Sequence, residues 1–174
     1  MFEAPELIEA PLSREALAQR YRELTDNPLF NNVPGKIEID AWGRLLFLPF
    51  STRRGLIVGR LASILTELSG EVFVSAPILT PAGVLVADIA WASEDRMRAH
   101  KYETPLNQAP EICVETVSAF NSIRELREKI DAYLAVGARE VWLAYPKSKR
   151  CEFYGQGGLL PNSAYRVELG NLFA

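Results

Sequence analysis

The chain has 174 residues, of which 48% are hydrophobic and 24% are charged, and its formal net charge is -3. This length and composition are those of one globular domain with a sizeable core. The acidic balance excludes a strongly basic nucleic-acid coat protein, so any contact with nucleic acid must come from a local basic face or from a bound metal ion.

The cysteines and the N-terminal segment bear on the cellular compartment. Cys113 and Cys151 lie in apolar stretches without a C-x-x-C pair, which predicts buried, reduced thiols in a cytoplasmic protein. The acidic, proline-broken N-terminus lacks the pattern of a signal peptide, and no apolar run approaches the length of a transmembrane span. His100 is the only histidine, which argues against a zinc site and against a serine or cysteine hydrolase.

The N-terminal third predicts a helix followed by a hairpin. The helix lies within residues 12–28, where Ser13 can cap its start and Pro28 lies just past its end. Apolar and polar residues alternate in the first half of residues 35–50, and "AWGR" supplies the turn of a hairpin.

The middle of the chain predicts one helix and two strands. Residues 51–70 show helical spacing of leucine and isoleucine, and Gly70 is the expected end of this helix. Two strands, 71–78 and 83–93, flank a "TPAG" turn, and the polar segment that follows holds at most one short helix.

The last third predicts strands around a well-capped helix. Residues 111–118 form a strand, and Ser122 and Glu125 have the spacing of a capping box for a helix that Gly137 ends. A pair of strands around "KSK" follows, "GQGG" is a turn, and "AYRVEL" is a short final strand.

This order of elements predicts the fold class. Helices and strands succeed one another as in a mixed sheet flanked by helices, an α/β or α+β arrangement. We expect a single domain over residues 1–174, with an N-terminal helical extension at about 1–34.

Two carboxylates stand inside apolar strands. Asp88 lies in "VLVADIAW" and Glu115 in "EICVETVS". An isolated buried carboxylate costs several kcal/mol unless it is neutralised. A hard divalent ion such as Mg²⁺ neutralises carboxylates and prefers oxygen ligands.

A structural explanation for these carboxylates stays open beside the metal site. Ion pairs with arginines would also neutralise them, and the available partners are Arg53, Arg54, Arg60, Arg124 and Arg127. Lys129 adds weight to a functional site, because it follows the Glu115 strand and shares a helical face with Tyr133. Taken alone, Lys129 fits a solvated surface lysine, and Tyr133 fits a core aromatic residue.

Five stretches carry a resemblance to a known family: "KIEIDAWGRLLFLPF", "RRGLIVGRLASIL", "VADIAWAS", "APEICVETVSAFNS" and "KIDAYLAVGAREVWLAYP". From about Lys36 to about Tyr154, the chain resembles the large bacterial family of restriction-endonuclease-like proteins that is abundant in cyanobacteria, within the PD-(D/E)xK nuclease superfamily. The last two stretches are the most specific. The fold implied is a restriction-endonuclease-like core, a central mixed β-sheet with helices on both sides.

The resemblance also implies chemistry, namely Mg²⁺-dependent hydrolysis of DNA phosphodiester bonds, with Mn²⁺ able to substitute. By position, Asp88 is the metal-binding aspartate and Glu115 the second acidic ligand. The backbone carbonyl of Thr116 would complete the protein ligands, and Glu38 would support the metal. Lys129 completes the catalytic set.

The expected substrate contacts come from the same resemblance and from residue chemistry. Arg53, Arg54 and Arg60 would contact the DNA backbone, and Tyr133 would support the site or face the substrate. Many superfamily members act as homodimers, so we expect a homodimer here.

The chain departs from the family pattern at two places. The superfamily lysine normally lies two residues after the second acid, where this chain has Val117, and Lys129 on the next helix fits its role. A family histidine before the long helix is replaced here by Arg54, which can also bind phosphate.

Three hypotheses follow for the function of the chain. It is an active DNA endonuclease, a catalytically inactive nuclease-fold module that binds or regulates, or a structural domain whose carboxylates are only ion-paired. Loss of activity in Glu115→Ala separates the first hypothesis from the second, and loss of Mn²⁺ binding in Asp88→Ala excludes the third.

Overall fold

Eight strands form one mixed sheet in the computed structural model, which describes residues 10–99 and 102–174. The strands are β1 (Lys36–Asp40), β2 (Leu45–Leu48), β3 (Glu71–Thr80), β4 (Gly83–Ala92), β5 (Ile112–Thr116), β6 (Glu140–Tyr145), β7 (Arg150–Gly155) and β8 (Gly158–Leu160). Their order is β2-β1-β4-β5-β6-β7-β8, with β3 also paired to β4. Among the pairs of described strands, only β5 and β6 run parallel, so the predicted mixed sheet is confirmed.

The helices cover both faces of this sheet. They are α1 (Arg14–Thr25), α2 (Thr52–Leu65), α3 (Glu94–Ala99) and α4 (Ile123–Ala135). On β5, Cys113 packs into the apolar cluster that contains α4, whereas Ile112 and Val114 pack into the cluster that contains α2. Because successive strand residues face opposite sides, α4 and α2 lie on opposite faces of the sheet.

Capping explains where the helices begin. Ser13 caps α1 through the backbone N–H of Ala16, and Ser122 and Glu125 form the predicted capping box of α4. The prediction that Gly70 ends α2 was wrong, because α2 ends at Leu65 and the C-cap is Thr66. Within the described part of the chain, every helix is too short or too polar to span a lipid bilayer.

The C-terminal segment differs from the predicted strand at "AYRVEL". The last strand is β8, which pairs with β7 through the turn at Gln156 and Gly157. Residues 164–169 are not in a strand, because Glu140 anchors the backbone of Ala164 and β8 already covers the edge of β7. This segment instead packs on the α2 side of the sheet.

The sheet forks at β4, and the fork positions the candidate site. On one edge, β4 pairs with β3 from Gly83 to Ala92, except at Asp88. The other edge is shared, because β1 pairs near Val84 and β5 pairs at Ile89–Trp91. Among the described strands, none covers residues 85–88 on that edge. Gly83 allows β1 to cross closely, since a Cβ there would lie 2.0 Å from the carbonyl oxygen of Ile39.

Some sequence predictions fall outside the described residues. His100 and the first nine residues of the N-terminal extension belong to this group. The remainder of that extension contains α1 and a short 3-10 helix, Pro28–Phe30. Cys113 and Cys151 are free thiols, and Cys113 is buried.

Candidate active site

On the open edge of β4, no described strand pairs with the backbone of Val86, and two side chains of β1 take the place of a strand. The N–H of Val86 donates to Glu38 Oε1 at 2.9 Å. Its carbonyl oxygen accepts from Lys36 Nζ at 2.5 Å. Buried backbone groups require such partners, so the fork itself explains why a lysine and a glutamate of β1 point into the interior.

The ammonium group of Lys36 lies in a cage of four oxygen atoms. Lys36 Nζ is 2.9 Å from Asp88 Oδ1 and 3.0 Å from Glu115 Oε2. Glu38 Oε1 lies at 3.4 Å, and the fourth oxygen is the carbonyl of Val86. We call these four atoms the oxygen cage. The side chain of Lys36 is only 2% exposed, so the cage encloses it.

Asp88 is held from two further directions. Arg54 contacts both carboxylate oxygens of Asp88, with its Nε 3.2 Å from Oδ2 and its Nη2 on Oδ1. The backbone N–H of Thr116 donates to Oδ2 at 2.7 Å. This bidentate pair fixes the carboxylate in one orientation.

Glu115 and Glu38 are joined by α4. Lys129 Nζ lies 3.1 Å from Glu115 Oε1 and 2.7 Å from Glu38 Oε1. The hydroxyl of Tyr133, one helical turn further, donates to Glu115 Oε1 at 2.7 Å. The shared helical face of Lys129 and Tyr133 therefore meets the carboxylates of both β1 and β5.

The charges in this cluster balance. Three carboxylates face three cations, and the members are Glu38, Asp88, Glu115, Lys36, Arg54 and Lys129. Ion pairs were the structural explanation for these carboxylates that the sequence left open. The carboxylates are indeed ion-paired, and Arg54 is one of the expected partners. The convergence of all three carboxylates on one ammonium group was not expected from the sequence.

The pKa values follow from this pairing. Burial by itself would raise the pKa of Glu38 and of Asp88, but neighbouring cations outweigh burial and lower both pKa values. Burial would lower the pKa of Lys36, but the surrounding carboxylates outweigh it and raise that pKa. Tyr133 has a pKa well above its ordinary value, because of burial and the adjacent Glu115 carboxylate. These groups therefore keep their ordinary charge states near neutral pH.

The donor chemistry of the cage fits a hard divalent cation. Carboxylate and backbone carbonyl oxygens are the ligands that Mg²⁺ prefers, and the lysine ammonium is a cation that already occupies the position. Among the described residues, no group of three Asp, Glu, His or Cys side chains is arranged to hold a metal ion. We attribute this to the ammonium group, towards which the carboxylates are oriented, so a metal would have to take its place.

The cations differ in their access to solvent. The side chains of Arg54 and Lys129 are each 15% exposed, whereas that of Lys36 is 2% exposed. Arg54 also lies over the ring of Phe50 at 5.3 Å. Arg54 and Lys129 thus form a positively charged rim through which the cluster meets solvent.

The structure brings together only part of the residue set expected from the sequence. Arg53 is exposed near the start of α2. Arg60 instead donates to the carbonyl oxygens of Leu172 at 3.1 Å and Ala174 at 2.6 Å. Tyr133 is fully buried, so it supports Glu115 and does not face a substrate in this arrangement.

The sequence predicts the carbonyl of Thr116 as a backbone ligand, and a different backbone carbonyl lies in the oxygen cage. Thr116 contributes its N–H to Asp88, and the backbone carbonyl in the cage is that of Val86. The metal contact of the Thr116 carbonyl therefore stays a prediction.

Sequence reasoning missed Lys36 and Val86. The signal for Lys36 was available, because Lys36 and Glu38 are two residues apart on a strand and so share a face. Val86 contributes only backbone atoms, which no side-chain pattern reveals.

Comparisons with known proteins bear on the family and the fold of the chain. A family model described as "Uma2: Putative restriction endonuclease" matches residues 18–171. Among curated proteins, none matches the chain. A crystal structure described as "a putative nuclease belonging to DUF820" from Anabaena variabilis ATCC 29413 is similar, with a TM-score of 0.59 and 16% sequence identity. The alignment covers 83% of this chain and 94% of that chain, and it confirms the predicted nuclease-type fold.

Proposed function

Because this chain belongs to the Uma2 family, we propose that it is a Mg²⁺-dependent endonuclease that hydrolyses phosphodiester bonds in DNA. The observation that carries the proposal is the oxygen cage, in which Glu38, Asp88 and Glu115 converge on one cation. A cluster that served stability alone would be satisfied by separate ion pairs, without such convergence.

Asp88 and Glu115 would hold the Mg²⁺ ion, with Glu38 and the carbonyl of Val86 or Thr116 in support. Mn²⁺ would substitute, since it accepts the same oxygen ligands. The bound ion would lower the pKa of a water molecule and stabilise charge on the phosphate.

The residues of the rim have their own roles in the proposed reaction. Lys129 would orient the attacking water or stabilise the negative charge that develops on the phosphate oxygens. Arg54 keeps Asp88 in position and would offer its solvent-facing edge to the DNA backbone. Arg53, exposed nearby, would add a contact with a neighbouring phosphate.

The proposal includes a homodimer, because two copies of the site could cleave both strands of a duplex in one encounter. The edge strand β2 supports it, since Leu45, Leu46 and Phe47 are 45%, 44% and 48% exposed. Light scattering coupled to size-exclusion chromatography tests the oligomeric state. With DNA as the substrate and reduced thiols in the fold, the proposal places the protein in the cytoplasm.

A second candidate function is a nuclease-fold module that binds DNA without cleaving it. The balanced charges of the cluster favour this candidate, because ion pairs already neutralise every carboxylate in it. In such a protein, the rim cations would contact phosphate, and no metal would be required.

The experiment that separates these functions is a plasmid-nicking assay. Purified protein is incubated with supercoiled plasmid and Mg²⁺ or Mn²⁺, beside Glu115→Ala and a sample with chelator. Metal-dependent nicking that Glu115→Ala abolishes supports the endonuclease. Equal nicking by both proteins would indicate contamination and contradict the assignment of the site.

A gel-shift assay on the same preparations addresses the second candidate. DNA binding by both proteins, without nicking by either one, would favour the binding module over the enzyme.

A further inference from the structure

Lys36 occupies the one position in the cluster where a cation meets all three carboxylates. Its ammonium group has three hydrogen-bond donors. The three shortest contacts use Val86 O at 2.5 Å, Asp88 Oδ1 at 2.9 Å and Glu115 Oε2 at 3.0 Å. The ammonium group is therefore fully satisfied by the oxygen cage.

Lys129 provides the contrast within the same site. Lys36 contacts all three carboxylates and Lys129 contacts two of them. Lys129 contacts Glu115 through Oε1, the oxygen that also accepts from Tyr133. Lys36 contacts Oε2, the oxygen that faces Asp88 across the cage. Only Lys36 thus stands between the two acids that the proposed function assigns to the metal.

Charge also argues against simultaneous occupation of the oxygen cage by the Lys36 ammonium group and a metal ion. With Lys36 in place, the three carboxylates are already balanced by three cations, as counted above. A divalent ion within a few ångströms of an enclosed ammonium group would meet strong repulsion. The ammonium and the metal therefore compete for the same oxygen atoms.

Space for the displaced side chain lies next to it. Lys36 lines a cleft of about 370 Å³ together with Tyr21, Gly35, Ile37 and Val86. A flexible lysine stem can change its rotamers into such a cleft without moving the strand.

From these observations, we infer that Lys36 is a built-in competitor of the metal: its ammonium group fills the cation position between Asp88 and Glu115, and a divalent ion binds only when it displaces Lys36. The inference rests on the proposed metal-dependent function. It assigns to Lys36 the role of a positioning residue that holds the carboxylates ready and sets the metal affinity of the site.

The test compares Mn²⁺ binding to wild type, Lys36→Met and Lys129→Met by titration calorimetry. Each substitution removes one ammonium group from the same cluster, so Lys129→Met controls for the loss of charge. Competition predicts that Lys36→Met binds Mn²⁺ roughly tenfold more tightly than wild type, a typical coupling between two ligands. Lys129→Met is expected to change the affinity by less than roughly threefold, because its ammonium is partly solvated.

Unchanged or weaker Mn²⁺ binding by Lys36→Met would overturn the inference. A gain in Lys129→Met as large as that in Lys36→Met would also overturn it, since general charge would then explain both results.

A second measurement uses wild type alone and so does not depend on whether the variants fold. Lysine acetylation is followed by mass spectrometry with and without Mg²⁺, and the exposed Lys147 serves as the internal reference. Displacement predicts that the reactivity of Lys36 rises when Mg²⁺ is added, while that of Lys147 does not change.

The outcomes also separate this inference from the proposed function. Metal-dependent nicking by a wild type whose Lys36 stays protected would overturn the inference alone. Absence of Mn²⁺ binding in both wild type and Lys36→Met would overturn the inference together with the metal-dependent function.

Discussion

The oxygen cage and the start of β6 both contain buried carboxylates, and the two regions neutralise them by different means. In the oxygen cage, Asp88 and Glu115 meet lysine and arginine side chains. At the start of β6, Glu140 is equally buried, but it accepts from Trp142 Nε1 at 2.7 Å, Ser163 Oγ at 2.6 Å and the N–H of Ala164 at 2.7 Å. Within residues 10–99 and 102–174, no cation forms an ion pair with Glu140.

The difference shows which feature of a buried carboxylate indicates function. Glu140 ties the C-terminal segment to the sheet through neutral donors, and this role needs no cation. The cage concentrates three acids on one point and adds the cost of desolvating the cations, which neutral donors avoid. Convergence on a cation, more than burial alone, is therefore the feature that supports a catalytic site.

The largest expected effect concerns activity. Glu115→Gln keeps the shape of the side chain but removes the charge that would hold the metal, so we expect metal-dependent nicking to fall by about 100-fold or more. Glu140→Gln, compared as folded protein, should keep its nicking rate. Plasmid nicking by both variants measures this difference, and an equal loss in both would erase the functional distinction between the two regions.

The next effect concerns stability at Glu140. In Glu140→Gln, an amide NH₂ faces donors that formerly met a carboxylate, so we expect a loss of about 2 kcal/mol in the free energy of unfolding. Urea unfolding followed by circular dichroism measures it. A stability equal to that of wild type would mean that the C-terminal segment is held by its apolar contacts alone.

A smaller effect is expected at Tyr133. Tyr133→Phe removes the hydroxyl that donates to Glu115, and we expect a loss of about 1 kcal/mol in the free energy of unfolding. Because Lys129 still contacts the same oxygen, nicking should persist at a reduced rate. Complete loss of nicking in a folded Tyr133→Phe protein would instead give the hydroxyl an essential role in the reaction.

The pH dependence of stability tests how much the ion pairs of the oxygen cage contribute to folding. The pKa values of Glu38 and Asp88 lie below their ordinary values of 4.5 and 3.8 in the folded protein. Their contribution to stability is therefore present above those values and is lost as the pH falls through the folded pKa values. The raised pKa of Lys36 acts in the other direction, so its contribution is present below 10.5 and is lost only as the pH rises through the folded pKa.

Urea unfolding of wild type and Asp88→Asn at about pH 7 and about pH 2.5 tests this window. Wild type should lose more stability between the two conditions than Asp88→Asn does. Equal losses would show that the Asp88 ion pairs do not contribute to stability.

The sequence was sufficient for most of the fold and for the acids of the site. The buried strands around Asp88 and Glu115 and the capping box at Ser122 were visible because each rests on a local pattern. The prediction of a strand at "AYRVEL" was wrong, because the apolar residues of this segment pack on the α2 side of the sheet without strand pairing. The segment is held by Glu140, which lies in a distant part of the chain and is not visible in the local pattern.

The inner structure of the site was beyond the sequence for a different reason. Arg54 was expected to contact DNA, and its pairing with Asp88 depends on how α2 lies over β4. The Val86 carbonyl enters the cage only because β1 and β5 leave that edge open, which is a property of the sheet. Lys36 is detectable from its two-residue spacing to Glu38, which places both side chains on one face of the strand.

The most direct test of the oxygen cage is a crystal structure of the protein soaked with Mn²⁺. An anomalous peak is expected between Asp88 and Glu115, with the ammonium group of Lys36 withdrawn from the cage. A cage that still holds Lys36, with no anomalous peak between the two acids, would contradict this expectation.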